Sequence, residues 1–482
     1  MRPLNRQCAS VSPAPIERIL QFGGGNFVRG FADWIVEVYN REQSVPLGVV
    51  VANNSDRQIY RDWSAQDGLY HVLTKGISDG NLVDRHELVT CVSRVLSLDK
   101  DWEAFLQTAE QPEMRYIFSN TTEAGIQFSE SDAATDAPPA EFPAKLTAWL
   151  HRRFDRFGGD GERGCVVIPM ELIVENGTVL RENVLQYARH WKLSEDLIRW
   201  IEQSCIFCNT LVDRIVPGVG KEELPAAHKL VGYEDAAITQ GEPYHLLAIE
   251  APAAVRDELP LDDIGLNIIY TDDLTPYRRS KVAILNGAHT TMVPVAYLCG
   301  RETVRETLED NLTGSYVRDA LYEEIIPTLD LPGVDLQQFA RDVLDRFRNP
   351  FIHHRLLSIS LNSVSKYRER VLPSVIAYHE QRGEWPHRLI LSLAALVRFY
   401  LGERDGAEIP LRDDPWAIEF FRSAWAATDG SPASLHQLAG KVLGWERAWG
   451  RDLSVHPDLH QLLAAQLREI GANGMNAAVA AV

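Results

Sequence analysis

Two hydrophobic periods divide the chain. In the first half, short apolar runs alternate with stretches whose apolar positions recur every three or four residues. Arg18–Phe22 and the fully apolar Gly48–Ala52 predict strands, and between them Phe27, Val28, Phe31, Trp34, Ile35 and Val38 recur at helical spacing. Further strand-like runs stand at Met114–Phe118, Cys165–Ile168, Leu246–Ile249 and Asn267–Tyr270. Such runs, separated by amphipathic helices, predict a mostly parallel sheet covered on both faces. Ser129–Pro143 and the Gly-Gly-Asp-Gly at 158–161 read as surface connections.

The period changes at Thr275-Pro276, where threonine suits an N-cap and proline the first helical position. From there to about Ala477 the pattern is helical, with runs at Ser280–Leu298, Val334–Phe347, Arg355–Arg370 and Pro457–Ile470 among others. The last dozen residues, rich in alanine and asparagine, are expected to fray. The architecture expected is therefore an α/β domain over residues 1–275 followed by an all-α domain over 276–482.

A length of 482 residues agrees with two or three packed units. With 48 Lys and Arg against 67 Asp and Glu, the net charge of −19 repels a polyphosphate backbone and argues against nucleic acid as a partner. A small anionic substrate would then need a local cationic group. The six cysteines are too dilute for a disulfide framework and suit a reducing compartment; Cys205 and Cys208 form a CxxC without the two further ligands that structural zinc requires. Residues 1–15 hold no apolar targeting core, and the longest uncharged apolar stretch, Leu389–Val397, is far short of the ~20 residues that span a bilayer. A cytoplasmic protein with no membrane partner is expected.

Gly23, Gly25 and Gly30 stand directly after the first strand and open an amphipathic helix. Glycines there permit a tight turn and close backbone approach, while helix N–H groups hold a pyrophosphate. A glycine turn used only for packing would look the same. On the nucleotide-binding reading, the domain is of Rossmann type and Phe22, Gly23, Gly25, Asn26, Phe27 and Asn53 would hold the cofactor. The second strand runs into Asn53-Asn54-Ser55-Asp56-Arg57, where an acid would hold a ribose hydroxyl and Arg57 would suit a 2′-phosphate, so NAD and NADP both remain open locally.

A second group of polar residues stands just past the change of period, in Lys281-Val-Ala-Ile-Leu-Asn286-Gly-Ala-His289. On an α-helix, at about 100° per residue, Asn286 lies about 140° and His289 about 80° around from Lys281, so all three can face one cleft. The set suits carbonyl reduction: a partly buried lysine gives a proton to the forming alkoxide, asparagine orients that oxygen, and histidine holds a neighbouring hydroxyl. The alternative is a surface lysine with two satisfied helix polars.

KVAILNGAH resembles the K-x4-N-x2-H signature of the polyol-specific long-chain dehydrogenases, the mannitol dehydrogenase family. The glycine loop, Leu211–Ile215 and Arg346–Ile352 also resemble that family. Longer stretches, among them QFGGGNFVRGFADW, SNTTEAGI, ELIVENG, TLVDRIV, YEEIIPTLDLP and RFRNPFIHH, point within it to members acting on keto-hexuronates and the matching aldonates. The resemblance implies an NAD-linked Rossmann domain, a helical domain, an active site between them, and hydride exchange with NADH. Fructuronate or mannitol is the alternative substrate.

By the same resemblance, Lys281 would be the general acid and base, with Asn286 and His289 binding the reacting oxygen and an adjacent hydroxyl. Asp213 would lie near the substrate, or else form a salt bridge with Arg214. No metal is required, because the lysine group performs the proton work. Two positions depart from the polyol members. Their Cys-Asp-Asn-Leu is Met170-Glu171-Leu172-Ile173 here, and Leu172 cannot donate a hydrogen bond; where they often carry an acid three residues before the lysine, this chain has Arg278. Leu172 keeps open a nucleotide-binding protein without turnover. A uronate brings a carboxylate, and Lys366 and Arg370, i and i+4 on one helix face, are the candidates to meet it.

Overall fold

The computed structural model describes residues 1–121 and 125–482. Thr122, Glu123 and Ala124, inside the SNTTEAGI stretch, lie outside the described residues. The chain divides into two compact units, residues 1–75 with 82–274 and residues 76–81 with 275–482. The division thus falls between Leu274 and Thr275, one residue earlier than the expected boundary, and a short internal segment joins the second unit.

Six parallel strands form the main sheet of the first unit: β1 (Glu17–Phe22), β2 (Gly48–Asn53), β3 (Val92–Ser97), β4 (Tyr116–Ser119), β5 (Val166–Pro169) and β6 (Ile206–Phe207). Their spatial order is β3-β2-β1-β4-β5-β6, the doubly wound order in which ligands bind where the order reverses, beside β1 and β4. Phe22 at the end of β1 is level with Ala52 of β2 and Ser119 of β4, so three strand ends open together. Alternation of apolar residues feeds both faces. Val49 and Val51 pack with Phe31, Trp34 and Ile35 of the α1 (Ala32–Glu42) side. Val50 and Ala52 pack with Phe105 of α2 (Leu98–Thr108) and Trp149 of α3 (Phe142–Phe157). Helices α4 (Asn176–His190) and α5 (Glu195–Ser204) complete that second face.

The runs near Leu246 and Asn267 do form strands but not in this sheet. β7 (Asn209–Asp213) pairs antiparallel with β8 (Leu246–Glu250), which pairs parallel with β9 (Ile268–Thr271). A further pair, Tyr70–Ser78 with Asn81–Val89, joins Thr239–Gly241 in a third sheet.

From Thr275 on the second unit is mainly helical, with a short hairpin of Glu403–Arg404 and Ala407–Glu408. Its first helices are α6 (Thr275–Ser280) and α7 (Gly287–Leu298). Between them Lys281–Asn286 winds as a π-helix, so the expected uninterrupted helix over Ser280–Leu298 is corrected to an α–π–α sequence. There follow α8 (Leu336–Phe347), α9 (Ser363–Arg370), α10 (Leu372–Arg382), α11 (His387–Phe399) and α12 (Pro457–Asn473). The expected fraying of the tail is also corrected: α13 (Met475–Ala480) buries Met475, Ala478 and Val479 and packs on α11 and α12. Alanine is the best helix former, so an alanine-rich end with three apolar anchors holds its shape. No described helix is long and apolar enough to cross a membrane.

Candidate active site

At the open strand ends of the first unit lies a cleft of about 730 Å³, lined among others by Phe22, Gly23, Gly25, Asn26, Phe27 and Asn53. All six residues expected at a cofactor therefore meet in one place. Gly23 has φ +102°, and a Cβ there would stand 2.7 Å from the Asn120 carbonyl oxygen. Its N–H donates to the Ala52 carbonyl at 3.0 Å, tying the loop to β2. Gly25 has φ −68°, and a Cβ there would meet no protein atom within 4 Å. Gly30 serves packing instead: a Cβ would come 2.6 Å from Val216 Cγ1.

Beneath the loop, the buried Arg29 guanidinium donates to the Gly24 carbonyl and, at 2.7 Å, to Asn26 Oδ1. The Tyr70 hydroxyl lies between the Arg29 carbonyl oxygen at 2.9 Å and Asp33 Oδ2 at 2.8 Å, within hydrogen-bond distance of both. Burial pushes the Asp33 carboxyl up to about 7. Asn53 is 2% exposed, and neither its Oδ1 nor its Nδ2 has a hydrogen-bond partner. An orphaned buried amide costs on the order of 1–3 kcal/mol, so a polar occupant is what this cleft is built to take. Arg57 also lines it, while Asp56 pairs with Arg61 at 3.2 Å and with Lys100. A left-handed glycine, an open one and an unpaired amide fit a dinucleotide. Asn120 and Tyr60, which line the same cleft, were missed in the sequence. Asn120 follows β4 directly, as Gly23 follows β1, and that equivalence becomes visible only when the strand order is known.

In the second unit the π turn changes the geometry of the lysine group. A ring closing from i to i+5 brings the fifth residue round by about one turn, so Lys281 and Asn286 share a face more closely than α geometry allows. Ala283, Ile284 and Leu285 of the same segment are buried. The Asn286 carbonyl accepts from Thr290 Oγ1 at 2.9 Å. His289, just beyond, stacks on Phe347 with ring centroids 4.2 Å apart and meets His354 edge-on at 5.3 Å. Its Nε2 is buried without a hydrogen-bond partner. Burial, then the charges of His354, Arg346, Arg370 and Lys366, hold its pKa well below the ordinary imidazole value, so the ring is neutral. A neutral imidazole with an open nitrogen can take or give one hydrogen bond to a substrate hydroxyl.

Helix α9 comes close because residue 287 is glycine; a Cβ there would stand 3.1 Å from the Arg370 carbonyl oxygen. Lys366 Nζ donates to the Ile359 carbonyl at 2.8 Å, and burial together with Arg370 lowers its pKa. Burial lowers that of Arg370 as well. Both cations act on His289, so they belong to the same field as the lysine group.

Asp213, at the end of β7 in the first unit, is 8% exposed. The Arg214 guanidinium donates to the Glu242 carbonyl at 2.9 Å and the Gly30 carbonyl at 2.6 Å, and lies over the Trp34 ring at 4.1 Å. Leu172 is 64% exposed, and the residue before it, buried Glu171, accepts from Thr121 N–H at 2.9 Å and Ser119 Oγ at 3.0 Å. Cys205 and Cys208 are buried free thiols, and burial pushes Cys208 up to about 12.

A six-stranded nucleotide-type sheet in one unit, and a lysine, asparagine and histidine on one helical segment of the other, define an oxidoreductase of the two-unit Rossmann class. The chain belongs to the mannitol dehydrogenase family. The mannitol dehydrogenase Rossmann domain matches residues 17–263, and the mannitol dehydrogenase C-terminal domain matches residues 273–471. It is 43% identical to the altronate oxidoreductase of Yersinia enterocolitica serotype O:8 / biotype 1B, over 100% of both chains. It is 43% identical to that of Klebsiella pneumoniae strain 342, over 99% of each. Among solved structures, D-sorbitol dehydrogenase in substrate-free form superposes with a TM-score of 0.80 at 21% identity, covering 99% of this chain and 100% of the other. Pseudomonas fluorescens mannitol 2-dehydrogenase, in a ternary complex with NAD and D-mannitol, gives 0.64 at 21% identity, covering 100% and 99%. At that identity the two structures speak for the fold alone.

Proposed function

We propose that the protein is an NAD-dependent altronate oxidoreductase, also called tagaturonate reductase, interconverting D-altronate and D-tagaturonate on a cytoplasmic route of hexuronate breakdown. The relatives that match over the whole chain are altronate oxidoreductases. The observation that carries the reading is that full-length match; beside it, α9 packs on the π turn and on Gly287, which brings the helix bearing Lys366 and Arg370 to the lysine group in a chain of net charge −19. A neutral polyol gives no reason to gather cations there, whereas a sugar acid does.

Phe22, Gly23, Gly25, Asn26, Phe27 and Asn53 would hold the NAD, whose bound nicotinamide supplies hydride transfer to and from the carbon bearing the reacting oxygen. In reduction, Lys281 gives its ammonium proton to that oxygen as the carbonyl becomes an alcohol; in oxidation, the neutral amine takes the hydroxyl proton back. Asn286 donates to the oxygen while it carries negative charge, which in part replaces the amide that Leu172 cannot supply. His289 Nε2 holds the adjacent hydroxyl. Asp213 binds a further hydroxyl, and Lys366 and Arg370 take the carboxylate. In a stopped assay of NADH consumption, tagaturonate should be turned over with a kcat/KM at least tenfold that of fructuronate or fructose. Equal values would reject the substrate.

A further inference from the structure

The second unit holds a pocket that shares only Arg370 with this mechanism. It has a volume of about 280 Å³ and lies between α6 with the start of the π turn, Thr328–Leu329, and the junction of α9 and α10. Val282, Ala283, Leu329 and Pro373 give it an apolar floor, and its rim carries Arg278, Arg279 and Arg370 against a single carboxylate, Glu369. Lys281, Asn286 and His289 do not line it.

The three guanidiniums, of which Arg279 is exposed and the other two half-buried, differ from the buried arginines of the chain. Arg29, Arg153 and Arg214 each donate to backbone carbonyls. Arg278, Arg279 and Arg370 donate no side-chain hydrogen bond and close no ion pair within the described residues. In a protein with 67 carboxylates for 48 Lys and Arg, three guanidiniums gathered at one small pocket repel one another, and Glu369, the one carboxylate on the rim, is shared with Arg368. An anion supplies the missing partner, and a guanidinium fork takes carboxylate or phosphate equally well. Helix α10 also begins here, at Leu372–Pro373, with no side-chain cap on its first N–H groups. Those donors favour the same charge.

We propose that this pocket is a second binding site, separate from the lysine group, for a small organic anion bearing two or more negative charges. The apolar floor takes the carbon skeleton and the rim takes the charges. Dicarboxylates and phosphate monoesters share this chemistry. Titration calorimetry on the full chain at constant ionic strength, with citrate and glycerol 3-phosphate as probes, tests the site and shows which kind of anion it prefers. At least one probe should bind saturably with one site per chain. The Arg278→Ala/Arg279→Ala double variant should weaken it at least tenfold. Ala377→Phe, which fills the pocket from the wall one turn after Pro373, should abolish it and serves where the double variant does not fold. Lys281→Ala should bind the probe within twofold of the unmodified chain. The proposal is overturned if neither probe binds saturably, if Ala377→Phe binds as well as the unmodified chain, or if Lys281→Ala loses the site too. None of these outcomes depends on which sugar acid the enzyme reduces.

Discussion

Two glycines of one loop should respond to alanine in opposite ways. At Gly23, φ is +102° and the new methyl would stand 2.7 Å from the Asn120 carbonyl oxygen. A side chain in that backbone region costs about 1–3 kcal/mol, and a contact that short against backbone adds about 1–3 kcal/mol of overpacking. The sum, roughly 2–6 kcal/mol, exceeds what the loop can absorb, because Gly23 is also tied to Ala52. Thermal unfolding of Gly23→Ala, followed by circular dichroism, should move down by at least about 4 °C, using roughly 2 °C per kcal/mol for a unit of this size. At Gly25 the backbone is ordinary and the space around a Cβ is open, so Gly25→Ala should unfold with the unmodified protein. That open space belongs to the cleft assigned to the cofactor. A methyl there should weaken NADH binding, read by the quenching of tryptophan fluorescence, at least tenfold, or about 1.4 kcal/mol. Should Gly25→Ala bind NADH normally, the nucleotide does not lie over this loop. Should Gly23→Ala unfold normally, the strain argument fails.

Lys281→Ala should lower kcat by about 10²–10⁴-fold with NADH affinity unchanged, and Lys281→Arg should not restore it, since a guanidinium does not release its proton; full activity in either variant would remove the lysine from the mechanism. His289→Phe keeps the stack on Phe347 but removes Nε2, so the KM for altronate should rise at least tenfold while the fold holds; an unchanged KM would show that the ring only packs. Asp33, fully buried and raised to about 7, keeps its proton in the folded state at pH values where the unfolded chain has lost it. Stability from this group is therefore full below about pH 4 and declines as pH rises towards 7, and Asp33→Asn should flatten that slope in thermal melts; an identical slope would assign it to other groups. Dialysis against a chelator should leave turnover within twofold, and a loss restored by a divalent ion would place a metal in the reaction.

The fold was legible where one period ran undisturbed. Ile19–Phe22 and Gly48–Asn53 are buried on both faces, as the strands of a covered parallel sheet are. β3 was not seen because Val92-Ser-Arg-Val-Leu-Ser97, the edge strand of the sheet, mixes polar residues into its pattern. Asn81–Val89 escaped for a stronger reason: most of it is exposed, so its pattern carries no burial signal. The runs at Leu246 and Asn267 were correct as strands and wrong as to sheet, since hydrophobic period reports burial and not partner. β7 begins two residues after β6 ends and pairs with β8, and that choice is settled by tertiary packing alone.

The site was legible by residue type and not by geometry. The six cleft residues could be named because a glycine turn after a strand has few uses, yet the partner wall at Asn120 comes from a strand some hundred positions further on. Lys281, Asn286 and His289 were placed on an α-helix, where Asn286 would sit about 140° from the lysine. The extra residue of the π turn brings the two together, and no propensity scale reads this, because Lys-Val-Ala-Ile-Leu-Asn is an ordinary helical string. What selects the wide turn is its surroundings: Ala283, Ile284 and Leu285 must stay buried while Gly287 lets α9 approach to contact distance. Thr290 Oγ1 donates back to the Asn286 carbonyl where regular α winding resumes. The π turn thus sits between buried apolar packing on one side and the close approach of α9 on the other, and the polar face it leaves carries the residues proposed for the chemistry.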